Sequence, residues 1–361
     1  MTGRAHVVVR VPRGEFARRF GADAGALPRN VCLVGWSAEV GEWFASPESV
    51  GDEREWRLRV TPTLRFLDDL VRPGLKPGSF WFLFCFHDGW RERIAWTDRY
   101  RWVASEGANA MSEWRGAPGD LPRFSDSHPW VACYCAHRGD PGAFLIPEAH
   151  WLTRGHYRDL FAAVARESKP WSERRMRAIY AGGDHGEVAN FLAPPPPGRE
   201  HPRRHLRAVV DAASLPADVH LGGEVPRARQ MDFRWILDVD GQVRTWDAWA
   251  WKMASGSTVL SPASPWESFF TRDFEAWTHY VPVANDFSDL AERLAWCRDN
   301  DDACRRIAEA ARERAREVYE PERAGGEVAR ALRERLLRGE GADASRESPG
   351  CSPTCRSRRR D

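Results

Sequence analysis

The sequence DFRWILDVDGQVRTWDAWAWKMASGSTVL, residues 232–260, contains the pattern of a buried strand followed by a helix. An apolar run ends in an Asp-Gly turn, and a Trp-rich segment closed by Ser-Gly-Ser follows it. A helix that starts just behind a strand can present its backbone N–H groups to a phosphate. The stretch therefore predicts a strand-turn-helix unit of the kind that binds nucleotides.

Apolar runs and helical patterns alternate on both sides of this stretch. In the first half, HVVVRV, NVCLVGW, SFWFLFCF and WVACYC predict strands, and TPTLRFLDDLVRP predicts a helix behind a Thr cap. In the second half, FRWILDVDG, TVL and HYVPV predict strands, with helices over RRHLRAVVDAAS, DLAERLAWCRDN and DACRRIAEAARERAREVYE. This order predicts an α/β fold whose second half contains a parallel sheet.

The chain has 361 residues, which is more than one compact core usually holds. We expect an N-terminal α/β domain over residues 1–165 and a C-terminal nucleotide-binding domain over 166–338. From about residue 339 the sequence becomes Arg/Ser-rich and of low complexity, so 339–361 is predicted to be a disordered tail.

Charge and cysteine usage restrict the class of protein. The net charge is +1, whereas a dedicated nucleic-acid binder normally has a marked basic excess, so no nucleic-acid partner is expected. No apolar run reaches the roughly 18 residues needed to cross a bilayer, and the first residues lack the apolar core of a signal peptide. The eight cysteines form no C-x-x-C pair, which argues against structural zinc. The sequence therefore predicts a cytoplasmic protein with reduced thiols.

Asp238 and Asp240 form a D-x-D motif at the end of the predicted strand. In metal-dependent transferases such a pair bridges Mg²⁺ or Mn²⁺ to a diphosphate. The alternative is that the two aspartates only build the Asp-Gly turn. Both interpretations remain open from the sequence.

Three longer motifs resemble a known family. W-x-HYVPV-x-x-D-x-SDL and W-x-x-x-NDDAxRxIAEAA resemble the C-terminal half of glycosyltransferase family 90, which includes protein O-glucosyltransferases, capsule xylosyltransferases and bacterial lipopolysaccharide glycosyltransferases. DVDGxxxxWxxxxWKxxSGSxVL is similar to the bacterial, lipopolysaccharide branch in particular. The resemblance extends from about Pro129 to Tyr319 and is most specific over residues 232–311.

The resemblance implies a GT-B fold, in which two Rossmann-like domains face each other across a cleft. It implies an inverting glycosyltransferase that moves a hexose or pentose from a UDP-sugar to a hydroxyl of a glycan, glycolipid or protein. No metal and no other cofactor are then expected. The acceptor would be a component of polysaccharide or lipopolysaccharide biosynthesis, met at the inner face of the membrane by peripheral association.

Inversion requires a carboxylate that deprotonates the acceptor hydroxyl as it attacks. In the family's protein O-glucosyltransferases this base is an Asp just after an apolar strand, and the resemblance places Asp88 of SFWFLFCFHDGWRE there. His87 is then placed to orient the acceptor. An ordinary Asp-Gly turn is the alternative for Asp88, and Asp140 in AHRGDPG is the second candidate base.

The resemblance also implies a donor site in the C-terminal half. Ala181 stands where the family usually has an arginine that neutralises the diphosphate, and Arg177 and Arg244 are candidate substitutes. An impaired, UDP-sugar-binding relative is therefore an alternative. Structural roles, such as a helix C-cap for the Ser-Gly-Ser turn, are also open for several of the predicted contacts. The predicted donor contacts are Gly182, Gly183, Asp240, Trp246, Ser255, Gly256, Ser257 and His279.

Overall fold

The computed structural model confirms the mixed α/β class. It describes residues 8–22, 31–46, 53–75, 77–86, 130–138, 142–186, 190–192, 201–222 and 225–338. The predicted C-terminal tail, residues 339–361, lies outside the described residues. No helix in the described part of the chain is long and apolar enough to span a membrane.

The first half forms a six-stranded mixed sheet in the order β1-β3-β2-β4-β5-β7. β2 runs antiparallel to both β3 and β4, whereas β4, β5 and β7 are parallel to one another. The central strands β2 and β4 are buried along their whole length, as their continuous apolar sequences predict. The strands are β1 (Val8–Arg10), β2 (Val31–Ser37), β3 (Glu42–Ala45), β4 (Phe80–Cys85), β5 (Val131–Cys133) and β7 (Ala143–Leu145).

The predicted strand WVACYC is instead two strands of different sheets. β5 ends at Cys133, and β6 (Cys135–His137) pairs antiparallel with β12 (Trp266–Ser268). Tyr134 separates the two strands, and its hydroxyl lies 2.9 Å from that of Thr63. The prediction of one strand was therefore wrong, because local apolar alternation cannot show that a chain changes sheets.

In the described part of the first half, the α-helices longer than three residues are α1 (Arg13–Phe20), α2 (Thr61–Leu70), α3 (Ala149–Thr153) and α4 (Arg158–Glu167). The helical structure before α2 already begins at Glu53 and continues through a π-helical turn, Trp56–Val60. The prediction of a Thr cap was wrong, since no side chain caps α2. Thr63 Oγ1 donates a hydrogen bond to Arg59 O within the helical structure instead.

The second half forms a five-stranded, fully parallel sheet in the order β13-β11-β10-β8-β9. Numbered along the chain, this is the doubly wound order 2-1-3-4-5, so the strand order reverses between β8 and β10. Ligands of such sheets bind at this reversal, outside the carboxyl ends of the strands. The strands are β8 (Arg175–Gly182), β9 (Ala217–Leu221), β10 (Phe233–Leu237), β11 (Thr258–Pro262) and β13 (Val281–Val283).

Successive residues of these strands contribute to different hydrophobic clusters. Ile179 and Ile236 belong to the cluster that also contains residues of the first half, whereas Tyr180 and Leu237 pack in a second cluster. Helices therefore cover both faces of the parallel sheet. They are α5 (Pro202–Ala212), α6 (Arg227–Gln230), α7 (Asp247–Ala254), α8 (Leu290–Asp299) and α9 (Asp301–Val318).

A last helix, α10 (Pro321–Leu337), was not predicted. It packs against α2 in the first half, and Arg335 Nη2 donates to Ala143 O at 2.8 Å. Trp151 Nε1 also donates to Tyr319 O, just before α10 begins. The end of the described chain thus returns to the N-terminal sheet, and one core cluster joins the two halves.

Candidate functional site

A cavity of about 240 Å³ lies at the carboxyl ends of β8 and β10, where the strand order reverses. Ala181 and Gly182 line it from the end of β8, and Asp238 to Gly241 from the end of β10. Helix α7 contributes Trp249, Trp251 and Lys252. Four cationic side chains line the cavity: Arg203, Arg227, Arg244 and Lys252.

Two of these cations are held by the D-x-D aspartates. Lys252 Nζ lies 2.6 Å from Asp238 Oδ1, and Arg244 Nε lies 2.7 Å from Asp240 Oδ1. All four side chains are buried, with at most 8% of any residue exposed. Burial alone would raise the pKa of Asp238, but Lys252 and Arg244 outweigh it and bring the pKa below its usual value.

Two further hydrogen bonds fix the Asp240–Arg244 pair, one to each partner. The second oxygen of Asp240 accepts a hydrogen bond from Ser264 Oγ, and Arg244 Nη2 donates to Ser261 Oγ at 2.9 Å. The described part of the chain contains no group of three His, Cys, Asp or Glu side chains that could hold a metal ion. Within the described structure, the two aspartates orient protein cations in the cavity.

Arg203 joins the ends of the two strands. Its Nη1 donates to Gly183 O at 3.0 Å, and its Nε donates to Val239 O at 3.3 Å. A Cβ on Gly241 would lie 2.8 Å from Arg203 Nη2, so glycine leaves the space for this guanidinium. Arg203 was not among the predicted site residues, because it lies about 20 positions after the motif on the next helix.

Three polar atoms of cavity-lining residues have no hydrogen-bond partner in the described structure. They are the Tyr180 hydroxyl, Gln230 Oε1 and Trp249 Nε1. Each residue is at most 7% exposed, and an unpaired buried polar group costs about 1–3 kcal/mol. Burial also raises the pKa of Tyr180, which keeps its hydroxyl protonated and available as a donor. These atoms can pair with a polar ligand in the cavity.

The structure brings only some of the predicted donor contacts to this cavity. Gly182 and Asp240 line it, and Gly183 lies directly beyond Gly182. A Cβ on Gly182 would lie 2.6 Å from the Tyr180 hydroxyl oxygen, so a larger residue would displace that side chain. The cavity thus combines two predicted residues with Arg203, Lys252 and Tyr180, which were not among the predicted donor contacts.

The Ser-Gly-Ser turn lies at the opposite, amino end of the sheet. Ser257 Oγ accepts from Arg174 Nη1 at 2.6 Å and donates to Phe233 O. Ser255 O accepts from Arg174 Nη2 and from Arg312 Nη2, both at 3.0 Å. Gly256 has a φ of 71°, which favours glycine. In this structure the turn closes α7 and is not in contact with the cavity.

Trp246 lies between the two halves of the molecule and not in the cavity lining. Its indole packs against two residues of the first half. The ring centroids of Trp246 and His150 are 4.1 Å apart, and the Arg59 guanidinium carbon lies 5.0 Å from the Trp246 ring centroid. Its φ is 72°, and its backbone N–H donates to Glu148 Oε2 at 2.6 Å. The other Glu148 oxygen accepts a hydrogen bond from the Tyr157 hydroxyl, which holds the carboxylate in place. Glu148 therefore positions Trp246, the residue just before α7.

His279 likewise lies outside the cavity lining. Its Nδ1 accepts a hydrogen bond from the Glu275 backbone N–H at 2.9 Å. Burial and the nearby Arg314 lower the pKa of His279, so the ring is neutral at pH 7. Its contacts are those of a residue that stabilises the loop before β13.

The candidate bases Asp88 and Asp140, and His87, lie outside the described residues. β4 ends at Cys85. The next residue is Phe86, and its carbonyl oxygen accepts a hydrogen bond from Arg59 Nη1 at 3.2 Å. The same Arg59 contacts Trp246. The described chain before Asp88 is therefore connected to the start of α7 through one side chain.

The two arginines proposed to replace the family arginine are used differently. Arg177 is on the exposed side of β8 and pairs with Asp218 at 2.8 Å. It is not among the residues that line the cavity, so it does not substitute for an arginine at position 181 in this structure. Arg244 lines the cavity but is bound to Asp240.

Taken together, the strand order and the cavity define a doubly wound α/β arrangement with a cavity at the strand reversal. Residues 158–323 match the model of the family described as Glycosyl transferase family 90, which confirms the resemblance of the sequence motifs. This matched C-terminal region contains the whole cavity.

Curated relatives match about half of the chain. Protein O-glucosyltransferase 3 of Homo sapiens is 28% identical over 176 residues, which is 47% of this chain and 34% of that protein. The Rattus norvegicus protein of the same name is 32% identical over the same shares. The chain thus spans about a third of the length of these relatives.

Among solved structures, the chain is similar to Anabaena HepE in complexes with UDP-glucose and with UDP and glucose. The match to the UDP-glucose complex has a TM-score of 0.30 at 11% identity and covers 50% of this chain and 53% of that one. The match to the complex with UDP and glucose has a TM-score of 0.35 at 10% identity and covers 58% of this chain and 64% of that one. Sucrose-phosphate synthase of Thermosynechococcus elongatus gives a TM-score of 0.30 at 14% identity, over 49% of each chain.

Proposed function

We propose that the protein is an inverting glycosyltransferase that transfers a sugar from a UDP-sugar to an acceptor hydroxyl. The observation that carries this proposal is the cavity at the strand reversal, which lies within the family 90 region and is lined by four cations. Cations at this position neutralise the diphosphate and the negative charge that grows on it as the sugar departs. The proposed fold is of the GT-B type, with the acceptor on the side of the N-terminal sheet.

We propose further that no metal ion takes part. In a D-x-D transferase the aspartates hold a divalent cation, whereas here Asp238 and Asp240 bind Lys252 and Arg244. The cationic lining of the cavity as a whole can supply the positive charge at the diphosphate. A metal-dependent mechanism would require both aspartates to leave these buried partners, which is costly.

The sugar and the acceptor are proposed from the relatives. Two of them are named protein O-glucosyltransferases, so UDP-glucose is the first donor to test, and a protein hydroxyl is a candidate acceptor beside glycans and glycolipids. Asp88 is the proposed base, with Asp140 as the second candidate. A cytoplasmic location, with peripheral association at the inner face of the membrane, remains part of the proposal.

The test measures UDP release by the purified full chain with UDP-glucose, UDP-galactose or UDP-xylose, with and without EDTA. We expect slow release by hydrolysis without an acceptor, unchanged by EDTA. Asp88→Asn should lower turnover about 100-fold or more, because general base catalysis contributes about 10²–10⁴-fold. Asp140→Asn is the matched variant and should leave turnover near the wild-type value.

Three outcomes would contradict the proposal. Failure of the wild-type chain to bind any UDP-sugar in calorimetry would exclude the activity. Binding without turnover would favour the alternative that Ala181 suggests, an impaired UDP-sugar-binding relative. Loss of turnover in EDTA, restored by Mg²⁺ or Mn²⁺, would favour the D-x-D mechanism.

A further inference from the structure

The cations that line the cavity differ in what they are bound to. Lys252 pairs with Asp238, Arg244 with Asp240, and Arg227 lies 3.7 Å from Asp247. Arg203 forms no ion pair with any residue that the structure describes, and its Nη2 makes no hydrogen bond there. We propose that Arg203 is the residue that binds the phosphate groups of the ligand; this inference rests on the proposed function.

The position of Arg203 in its helix supports this role. Arg203 lies in the first turn of α5, an eleven-residue helix that has no side-chain cap and no acidic residue in that turn. A cation is unfavourable there, since the partial charge of a helix N-terminus is positive. A bound anion would remove this penalty, because an anion is favourable next to both the guanidinium and the helix N-terminus.

A second observation points to a ligand at the same place. The Tyr180 hydroxyl lines the cavity, has no partner in the described structure and belongs to a residue that is 1% exposed. The Arg203 guanidinium carbon lies 5.9 Å from the centre of the Tyr180 ring. A phosphate oxygen can accept hydrogen bonds from both groups, because each of them offers a donor.

The carbonyl contacts of Arg203 fix its guanidinium without neutralising it. Nη1 and Nε donate to Gly183 O and Val239 O, at the ends of the two strands that flank the reversal. The remaining nitrogen, Nη2, is next to Gly241, whose missing side chain leaves the backbone open. A guanidinium held in this way loses little freedom when it binds an anion.

The chain offers a matched control one residue away. Arg204 is in the same helical turn, but its side chain forms two hydrogen bonds to Asp184, at 2.7 and 2.8 Å, and it does not line the cavity. If any arginine at the N-terminus of α5 attracted a phosphate equally well, Arg203→Gln and Arg204→Gln would have the same effect. The present inference predicts different effects.

The experiment measures the affinities of the full chain for UDP, uridine and inorganic pyrophosphate by calorimetry. Arg203→Gln should weaken UDP binding about 10- to 100-fold, the value of one charged hydrogen-bond pair, and leave uridine binding unchanged. Arg204→Gln should change neither affinity. Arg203→Lys should recover part of the UDP affinity, since it keeps the charge but loses the planar fork.

The inference is overturned if Arg203→Gln retains the wild-type UDP affinity, or if it weakens UDP and uridine binding equally. Thermal unfolding of each variant shows whether it is folded. If Arg203→Gln does not fold, the UDP affinities of Arg203→Lys and Arg204→Lys are compared instead. If the wild type binds no UDP-sugar and no UDP, the proposed function fails by itself. Arg203 is then supported only if pyrophosphate binds to the wild type and not to Arg203→Gln.

Discussion

The two ends of the five-stranded parallel sheet contain the same kinds of side chain but use them differently. At the amino end, Arg174 donates hydrogen bonds to Ser257 Oγ and to the carbonyls of Lys169 and Ser255. At the carboxyl end, Arg203 has no carboxylate partner in the described structure, and the Tyr180 hydroxyl has no partner there.

This difference supports the carboxyl end as the proposed ligand site. The polar groups of Arg174, Ser255 and Ser257 satisfy one another and close helix α7 against the start of β11. Polar groups at the carboxyl end surround a cavity and are only partly satisfied. An unpaired buried polar group is costly, and a polar ligand in the cavity would pair with these groups.

The largest effect is expected from the buried charges at the carboxyl end. Asp238→Asn leaves the Lys252 ammonium without its carboxylate, and breaking a buried pair costs about 3–5 kcal/mol. Urea unfolding should show this loss in the free energy of unfolding. The double variant Asp238→Asn with Lys252→Met should be more stable than the single one, since it also removes the unpaired charge.

Acid provides a control for this pair. The folded pKa of Asp238 is below its usual 3.8, so its contribution to stability is complete above that pH. The contribution is lost as the pH falls through the lower, folded pKa. The stability difference between the wild type and Asp238→Asn should therefore shrink below pH 3.8, and a difference that grows there would contradict the ion pair.

The amino end should respond to Gly256→Ala through stability alone. Alanine at a φ of 71° costs about 1–2 kcal/mol, and its Cβ would collide with the Arg312 guanidinium. Gly155→Ala is the control, because Gly155 has a φ of 57° but its added Cβ meets no described atom within 4 Å. Gly256→Ala should cost about 1 kcal/mol more than Gly155→Ala, as Arg312 loses a hydrogen bond.

Equal losses of stability for the two glycine variants would mean that Arg312 moves aside freely. A fall in UDP affinity for Gly256→Ala, without one for Gly155→Ala, would extend the ligand site to the amino end. Chemical unfolding and UDP calorimetry on the same samples separate these results.

The smallest effect is expected from Ser257→Ala. This change removes one hydrogen bond to Arg174 and one to Phe233 O, at a cost of about 1–2 kcal/mol. UDP affinity should not change, because Ser257 is not among the residues that line the cavity. A tenfold loss of UDP affinity with wild-type stability would instead confirm the donor contact expected from the motif.

Several elements could be predicted because their signals are local. The strand Phe233–Leu237 and the helix Asp301–Val318 have the predicted types, since apolar runs and helical periodicity are properties of neighbouring residues. The prediction of one strand for WVACYC was wrong because the chain passes from one sheet to another at Tyr134. Helix α10 was missed, although its Pro at the first turn and its later Leu and Val residues are a readable signal.

The site was predictable only where it coincides with a motif. The motifs predicted Gly182 and Asp240 correctly. Ser255 to Ser257 belong to the same stretch of sequence as Asp240, but they lie at the other end of the sheet. Helix α7 causes this separation. It lines the cavity with residues from Ala248 to Lys252, and its last residue lies about 12 Å from its first, given 1.5 Å per residue over eight residues.

The sequence by itself determined the α/β class, the parallel second sheet and the resemblance to glycosyltransferase family 90, because these depend on periodicity and on motifs within short segments. Only the tertiary structure decided which charges face the cavity and which are already neutralised. Arg203, Arg204 and Arg177 are the same residue type, but the side chains of Arg204 and Arg177 each pair with an aspartate. Arg203 donates to carbonyl groups and lies beside a histidine, while Asp238, directly after β10, is already bound to Lys252.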